Sequence, residues 1–294
     1  MTSKGYSTRW FPTTQVQSSA ELIRKAFLYH SLRVLPKMLF RKRTVANVRS
    51  TYNEERQRLW NRLQSLDWDS YVFFPETDKD FILIDDQVKY GSHREARMLL
   101  LERISSVIEP FAARGGVVVE LGSGDGRNLL YLKKRFPKMK FVGFELSEIS
   151  VEFSKDAAKK FSITDVDFYA ADASRALPSF LGSDQVVCCY TSFALEMMPR
   201  IYRGAVDNMI SLQPEVMAFF EPEEALWSHD LRGVTSKIRV RSLDRLRGLY
   251  AYLGEIVARG GWKITSAKRS GIGINPFNEM VEIIVERVAT KNQS

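Results

Sequence analysis

The 294-residue sequence is poor in the residues that build disulfide frameworks and many metal sites, with two cysteines and three histidines. The cysteines, Cys188 and Cys189, are adjacent inside an apolar run. Neighbouring cysteines rarely bridge, and a zinc site would need two further ligands. We therefore predict two buried, reduced thiols, no metal site and a cytoplasmic location.

Long apolar runs are also absent. No stretch reaches the roughly 20 residues of a membrane-spanning helix. The first residues, MTSKGYSTRWFPTTQ, lack the apolar core of a secretory signal. The composition, with 45% hydrophobic and 27% charged residues, is typical of a globular protein.

Acidic residues are scarce at the start of the chain. Residues 1–62 contain thirteen Lys/Arg against three Glu, whereas the remainder contains 30 Lys/Arg against 32 Asp/Glu. This asymmetry predicts an acidic partner, which is nucleic acid, a phosphorylated substrate or an anionic membrane surface. A solvated helical face would produce the same charge pattern.

The periodicity of apolar residues predicts helices over 20–35, about 50–66 and 92–109, with an acid-rich connection over 67–80. We divide the chain into a basic helical N-terminal extension, residues 1–90, and a domain of residues 91–294. In the domain, apolar strand-like runs alternate with helical stretches. The strands are predicted at 117–121, 140–145, 165–170, 185–190, 215–220, 263–268 and 279–287, and the helices at 126–136, 148–161, 199–212 and 241–258.

Continuous apolar strands between helices predict an α/β fold of three layers, in which a doubly wound, mostly parallel seven-stranded sheet is covered on both faces. The segment RSGIGINPFNEM between the last two strands is too short for a crossover helix. That pair is therefore predicted to be antiparallel.

The segment VVVELGSGDG, residues 117–126, places three glycines directly after a strand. It lacks the Lys-Ser/Thr ending of a P-loop, and its third glycine comes one residue too early for the dinucleotide fingerprint. Glu120 and Asp125 beside the loop would repel a pyrophosphate and suit a cationic ligand. In a doubly wound sheet, such a ligand binds outside the carboxyl ends of the strands.

These residues resemble motif I of the class I S-adenosylmethionine (SAM)-dependent methyltransferases, and the resemblance extends over about 117–287. Glu145 stands where the family has an acid that binds both ribose hydroxyls. Asp172 follows the third strand, where the family has an acid facing the adenine amino group. VVCCYTSFALEMMP matches the fourth strand and motif IV. The resemblance implies SAM as the cofactor and a site formed by Glu120, Gly122, Ser123, Gly124, Gly126, Asn128, Glu145, Leu146, Asp172, Ala173 and Tyr190.

In this family a helix like that at 92–109 often closes over the methionine end of the cofactor, although a plain packing helix would have the same pattern. Tyr90, Gly91 and Arg94 are the residues we consider for this contact.

The motif IV region indicates the methyl acceptor mainly by the patterns that it lacks. The motif IV region lacks the D/N-P-P-Y/F pattern of enzymes that methylate amines of bases or glutamine, and it lacks the Pro-Cys pattern of cytosine C5 enzymes. O-methylation of a small molecule or glycan is favoured, with carboxyl and amine acceptors left open. An alcohol acceptor needs a base, and the predicted catalytic residues are His229, Glu196 and Glu221, whose spacing is not diagnostic of a metal site.

The basic stretch 231–249 is predicted to border the substrate pocket and to favour an anionic acceptor, because arginine binds carboxylate and phosphate well. Arg239, Arg241, Asn275 and Asn278 are the predicted substrate contacts. Three alternatives remain open: an RNA methyltransferase whose basic N-terminal portion binds phosphates, a non-catalytic SAM-binding scaffold, and residues 22–43 lying on an anionic membrane. The N-terminal helices would otherwise form a lid or a homo-oligomer contact.

Overall fold

The computed structural model describes residues 20–29, 53–54, 56–179, 185–198 and 202–288. The strands in this part of the chain are β1 Lys79–Ile84, β2 Gln87–Ser92, β3 Val117–Leu121, β4 Lys140–Glu145, β5 Val166–Ala170, β6 Val186–Ser192, β7 Val216–Glu221, β8 Trp262–Arg269 and β9 Val281–Arg287.

The helices with defined ends are α1 Trp68–Phe73, α2 His93–Ile108, α3 Arg127–Arg135, α4 Glu148–Lys160, α5 Tyr202–Ser211, α6 Leu231–Ser242 and α7 Leu249–Ala258. Residues 20–29 are also helical, as are 53–54 and 56–60. Residues 30–35 of the first predicted helix, and 50–52 and 55 of the second, lie outside the described residues. The second helix ends at residue 60, and the predicted remainder is a turn followed by the 3₁₀ helix Leu63–Ser65.

Seven strands form one sheet in the order β5-β4-β3-β6-β7-β9-β8. β3 to β7 pair in parallel, whereas β9 pairs antiparallel with both β7 and β8. This arrangement confirms the predicted α/β fold with its antiparallel last strand. The carboxyl ends of β3 to β7 therefore meet at one edge of the sheet.

The central strand β3 shows why the sheet is covered on both faces. Its five residues, VVVEL, are all buried, and successive side chains of a strand point to opposite faces. Val118 packs in a cluster with Leu130 of α3, whereas Val119 packs with Leu253 of α7. β-branched residues suit such a strand.

Two segments differ from the prediction. The helix predicted at 241–258 is wrong, because α6 ends at Ser242 and α7 begins at Leu249. Asp244 and Gly248 between them have φ angles of +49° and +81°, which a right-handed helix does not contain. The amide of Leu249 instead donates to the buried carboxylate of Glu223 at 2.9 Å, which caps α7.

The predicted connection 67–80 also contains regular structure. Asp67 accepts a hydrogen bond from the Ser70 amide at 2.6 Å and caps α1, and β1 pairs with β2 in an antiparallel hairpin. The predicted domain boundary at residue 90 falls inside β2. The hairpin is attached to the domain by a backbone bridge between Leu83 and Gly273.

The adjacent cysteines are fully buried and carry free thiols, as predicted. Burial raises the pKa of Cys188 to about 12. Across the described ranges, no helix has the length and apolar character needed to cross a bilayer.

Candidate active site

A cavity of about 670 Å³ lies at the carboxyl edge of the sheet. Its two ends belong to different parts of the fold. The loops after β3, β4 and β5 form the first end, which we call the glycine-loop end. The segments after β6, helix α6 and the β8–β9 connection form the second end, which we call the α6 end. The position is the one at which doubly wound sheets bind ligands.

The three glycines of the loop have φ angles between +58° and +77°, in the left-handed region. A Cβ atom on Gly122 would lie 2.4 Å from the Cβ of Ala194, and one on Gly126 would lie 2.8 Å from the ring of Phe168. A Cβ on Gly124 would meet no atom within 4 Å, and Gly124 lines the cavity. Packing therefore requires the outer two glycines, and Gly124 leaves space for a ligand.

The carboxylate of Glu145, the last residue of β4, is held by two backbone amides. Its Oε2 accepts the amide of Gly124 and its Oε1 accepts the amide of Ser147, each at 3.0 Å. Burial raises the pKa of Glu145, and the two amide donors oppose the rise. The carboxylate can accept further hydrogen bonds from a molecule in the cavity.

A buried polar chain runs from α2 to the end of β3. The guanidinium of Arg97 donates to the side-chain oxygen of Asn128, whose amide nitrogen donates to Glu120 Oε1 at 2.5 Å. Burial raises the pKa of Glu120 to about 8 and lowers the pKa of Arg97 to about 10. The second oxygen of Glu120 is buried, and the hydroxyl of Tyr190 interacts with this carboxyl and opposes the rise of its pKa.

These shifts make the stability of the ligand-free protein depend on pH. The folded-state pKa of Glu120, about 8, lies above its ordinary value of 4.5, so the folded protein keeps a proton that the unfolded chain releases. Burial raises the pKa of Glu221 to about 8 as well. We expect the free energy of unfolding to fall as pH rises from 4.5, the ordinary pKa, to about 8, the folded-state pKa. Glu120→Gln should reduce the slope by about 1 kcal/mol per pH unit.

Urea denaturation across that pH interval measures the slope. Glu109→Gln, at an exposed position, is the control and should keep the wild-type slope. An unchanged slope in Glu120→Gln would show that Glu120 does not carry a raised pKa in the folded protein.

Asp125, inside the glycine loop, binds two arginines. Arg127 Nε donates to both carboxylate oxygens at 2.9 and 2.8 Å, and Arg56 Nη1 donates at 2.6 Å. Burial opposes ionisation, but the two guanidinium groups lower the pKa of Asp125. The ring of Phe74 stacks 4.4 Å from the guanidinium carbon of Arg127, and Arg127 Nη1 is buried without a hydrogen-bond partner in the described part of the chain.

At the α6 end, Glu196 is buried and accepts hydrogen bonds from neighbouring side chains. Asn278 Nδ2 donates at 2.9 Å, and Arg245 Nη1 forms an ion pair at 2.5 Å. Glu196 lies in the 3₁₀ turn Leu195–Met197. Glu221 holds this turn, because its carboxylate accepts the amides of Ala194, Leu195 and Glu196 at 2.9, 3.1 and 3.3 Å.

Arg239 of α6 lines the cavity and is partly buried. Burial and the nearby charge of Arg245 lower its pKa to about 10. The negative charge of Glu196 opposes this fall, and no residue in the described ranges forms a hydrogen bond or salt bridge with the Arg239 guanidinium. By contrast, Arg241 points outward and binds Glu224 at 3.1 Å.

The structure brings most of the predicted site residues to the cavity. Those that line it are Glu120, Gly122, Ser123, Gly124, Asn128, Glu145, Leu146, Asp172, Ala173, Glu196, Arg239, Asn275 and Asn278.

Five predicted residues do not line the cavity. Gly126 packs against Phe168, and Tyr190 is fully buried beneath the loop. Glu221 is fully buried under the 3₁₀ turn. His229 is exposed, 3.5 Å from Lys237 Nζ, and Arg241 is on the outer surface. Their places give none of the five a direct contact with a molecule in the cavity.

The sequence-based prediction missed three cavity residues that come from distant segments, Arg56, Phe74 and Arg97, and it missed Arg127 beside the glycine loop. Arg245, which also lines the cavity, belongs to the basic stretch 231–249 that was predicted to border the substrate pocket. The helix pattern at 92–109 was the only signal for Arg97. Arg94, which we considered on that helix, instead binds Asp69 at 2.6 Å. Among the described residues, no group of three His, Cys, Asp or Glu side chains is arranged to hold a metal ion.

Comparison with known proteins finds similarity over part of the chain. A family described as a methyltransferase domain matches residues 118–212. A tRNA (guanine-N(7)-)-methyltransferase of Thermotoga maritima is 32% identical over 85 residues, which are 29% of this chain. The match spans only 27% of that relative's length.

Solved structures share the fold at low identity. A magnesium protoporphyrin IX methyltransferase from Synechocystis, with bound SAH, aligns over 83% of this chain and 99% of its own, with a TM-score of 0.53 and 16% identity. A geranyl diphosphate methyltransferase in complex with sinefungin aligns over 81% and 100%, with a TM-score of 0.53 and 15% identity. At such identities these likenesses concern the fold alone.

Proposed function

We propose, from the premise that this chain belongs to the class I SAM-dependent methyltransferases, that it methylates an oxygen atom of an anionic small-molecule or glycan acceptor. SAM is the cofactor of this family. The anionic character of the acceptor is inferred from Arg239, a cation that lines the cavity and has no hydrogen-bonded partner among the described residues. The predicted cytoplasmic location remains part of the proposal.

Buried polar groups at the glycine-loop end fit the cofactor. Glu120 lines the cavity with a buried carboxyl group, which suits an ammonium group, and Arg127 Nη1 is a buried donor without an acceptor among the described residues, which suits a carboxylate. Glu145 offers its carboxylate to a pair of hydroxyls, and the open space at Gly124 lies beside it. We assign these four residues to SAM binding.

When bound, SAM supplies an electrophilic methyl group, so the protein supplies alignment and a proton acceptor. We assign the role of proton acceptor to Glu196, because it is the predicted catalytic carboxylate that lines the cavity. Arg245 and Asn278 fix the direction of its side chain. Glu221, which binds three amides of the same turn, positions Glu196 and does not touch the acceptor.

The acceptor class is tested with radiolabelled SAM and a panel of hydroxylated acceptors, each paired with a neutral isostere of its anionic group. We expect label in the anionic members. For an acceptor so identified, Arg239→Gln should raise KM by about 10–100-fold, because a hydrogen bond to a charged group contributes about 1.5–3 kcal/mol. SAM affinity, measured by calorimetry, should not change.

Arg241→Gln is the matched control, because it removes a charge from the outer face of the same helix. It should keep the wild-type KM. Equal labelling of the neutral isosteres, or a wild-type KM in Arg239→Gln, would contradict an anionic acceptor.

A second candidate, methylation of RNA, is favoured by the similarity to a tRNA methyltransferase and by the positive charge of residues 1–62. Adding unmodified tRNA to the same assay separates the two functions. Labelled tRNA, with a steep loss of binding as salt rises, would favour this candidate over the small-molecule acceptor.

A further inference from the structure

The α6 end of the cavity has an apolar side. Four half-buried apolar residues line it, and they come from three segments: Met197 and Met198 after β6, Leu243 directly after α6, and Ile274 in the β8–β9 connection. Each keeps part of its side chain accessible to solvent, so covering these side chains with an apolar molecule is favourable. We call these four residues the apolar wall.

The polar side chains of this end already bind protein groups. Glu196 accepts Asn278 Nδ2 at 2.9 Å and pairs with Arg245 Nη1 at 2.5 Å. Asn275 Oδ1 accepts the amide of Phe277 at 2.9 Å. A glycan ring carries several hydroxyls, and each loses water on binding and requires a hydrogen-bond partner in exchange. Among the described residues, the α6 end therefore favours an acceptor with few hydroxyls and an apolar body.

Arg239 places a cation beside the apolar wall. Leu243 follows it by four residues at the end of α6, and this spacing puts both side chains on one side of the helix. The planar guanidinium matches the two oxygens of a carboxylate. A molecule that covers the apolar wall and carries a carboxylate would use both features.

The proton acceptor restricts the reacting group as well. Glu196 offers a carboxylate, which is a weak base, and none of the histidines in the described ranges lines the cavity. A phenol releases its proton far more readily than an aliphatic alcohol does, so a phenolic hydroxyl suits this base better. An aromatic ring also suits Met197 and Met198, because contacts between thioether sulfur and aromatic rings are favourable.

We propose that the acceptor is a hydroxylated aromatic carboxylic acid, whose ring covers the apolar wall, whose carboxylate binds Arg239 and whose phenolic oxygen is methylated. This inference rests on the proposed function and narrows its acceptor class. The phenolic oxygen forms a bond to the methyl carbon while the carbon–sulfur bond of SAM breaks, and the electron pair of that bond stays on sulfur to give SAH. The phenolic proton passes to Glu196.

The test measures transfer of label from radiolabelled SAM by the full chain. The probes are hydroxybenzoates and hydroxynaphthoates, each paired with its saturated-ring counterpart, together with two anionic sugars, glucuronate and glucose 6-phosphate. We expect label in the aromatic acids and at least about tenfold less in the saturated acids and the sugars. The label should resist mild alkali, which cleaves a methyl ester and leaves an aryl methyl ether intact.

A variant of the apolar wall tests the binding mode. Leu243→Asn should raise the KM for the labelled aromatic acid by about tenfold, because an amide replaces an apolar contact with the ring, and SAH affinity in calorimetry should stay unchanged. Leu231→Asn is the matched control, since Leu231 is 66% exposed on the same helix and does not line the cavity. It should keep the wild-type KM. Thermal unfolding checks that both variants are folded, and the probe panel tests the proposal on the wild type alone.

Four outcomes would overturn the proposal. Label in the sugars or the saturated acids equal to that in the aromatic acids would do so and would leave the proposed function standing. Label released by mild alkali would place the methyl group on the carboxylate. An equal KM in folded Leu243→Asn and Leu231→Asn would remove the apolar wall from acceptor binding. A protein that binds SAH but labels no member of the panel would contradict both this proposal and the proposed acceptor class.

Discussion

Replacement of Gly124 by valine is expected to weaken SAH binding at least about 100-fold, equivalent to about 2.7 kcal/mol, while the protein stays folded. The new side chain would meet no protein atom within 4 Å of its Cβ and would project into the cavity beside Glu145. The φ angle of +58° adds strain of about 1–2 kcal/mol, which a folded domain tolerates.

Gly260→Val separates the two consequences of this substitution. Gly260 lies in the turn before β8, has a φ angle of +89° and offers open space to a Cβ atom, but it does not line the cavity. It should show similar strain in urea denaturation and unchanged SAH affinity in calorimetry. If Gly124→Val bound SAH as tightly as Gly260→Val, the glycine loop would not be the cofactor site.

Gly122→Val should behave differently from both. Its Cβ would lie 2.4 Å from the Cβ of Ala194, so the β3 loop or the turn that carries Glu196 must move. We expect loss of stability to accompany loss of SAH binding, and denaturation and calorimetry on the same preparations check both. The two glycines of one motif thus have separable roles, which their spacing in the sequence does not reveal.

The glycine-loop end of the site was predictable because its determinants are local. A buried strand followed by glycines, and an acid at the end of the next strand, are read from short segments, and the parallel sheet brings them together. Arg56, Phe74 and Arg97 carry no such signal. Arg56 lies in a helical segment, Phe74 directly follows α1, and Arg97 lies in the second turn of α2. They reach the cavity through tertiary packing that periodicity does not encode.

Strand ends are also a weak guide to side-chain direction. Glu221 and Glu145 both end strands, yet Glu145 lines the cavity whereas Glu221 turns beneath it to bind three amides. The amides of the 3₁₀ turn, which are distant in sequence, decide that direction. The division between α6 and α7 has a similar cause, because the carboxylate that accepts the Leu249 amide belongs to Glu223, which precedes α6 in the sequence.

Glu279→Gln is expected to lower the free energy of unfolding by about 3–5 kcal/mol, because removal of one partner leaves a buried charge uncompensated. Glu279 is fully buried and binds Arg232 at 2.9 Å and Arg269 at 3.1 Å. Its Oε1 also accepts the amide of Gly271 at 3.2 Å. Asp86, the other carboxylate that these arginines contact, is more than half exposed and compensates weakly.

Glu224→Gln is the control, since Glu224 pairs with an exposed arginine, Arg241, and surface pairs contribute about 0–1 kcal/mol. Urea denaturation of the two variants measures the difference. A small effect of Glu279→Gln, equal to that of Glu224→Gln, would contradict a stabilising role of the buried network. A large effect would show that one carboxylate holds α6 and the β8–β9 connection in one place, and both elements border the α6 end of the cavity.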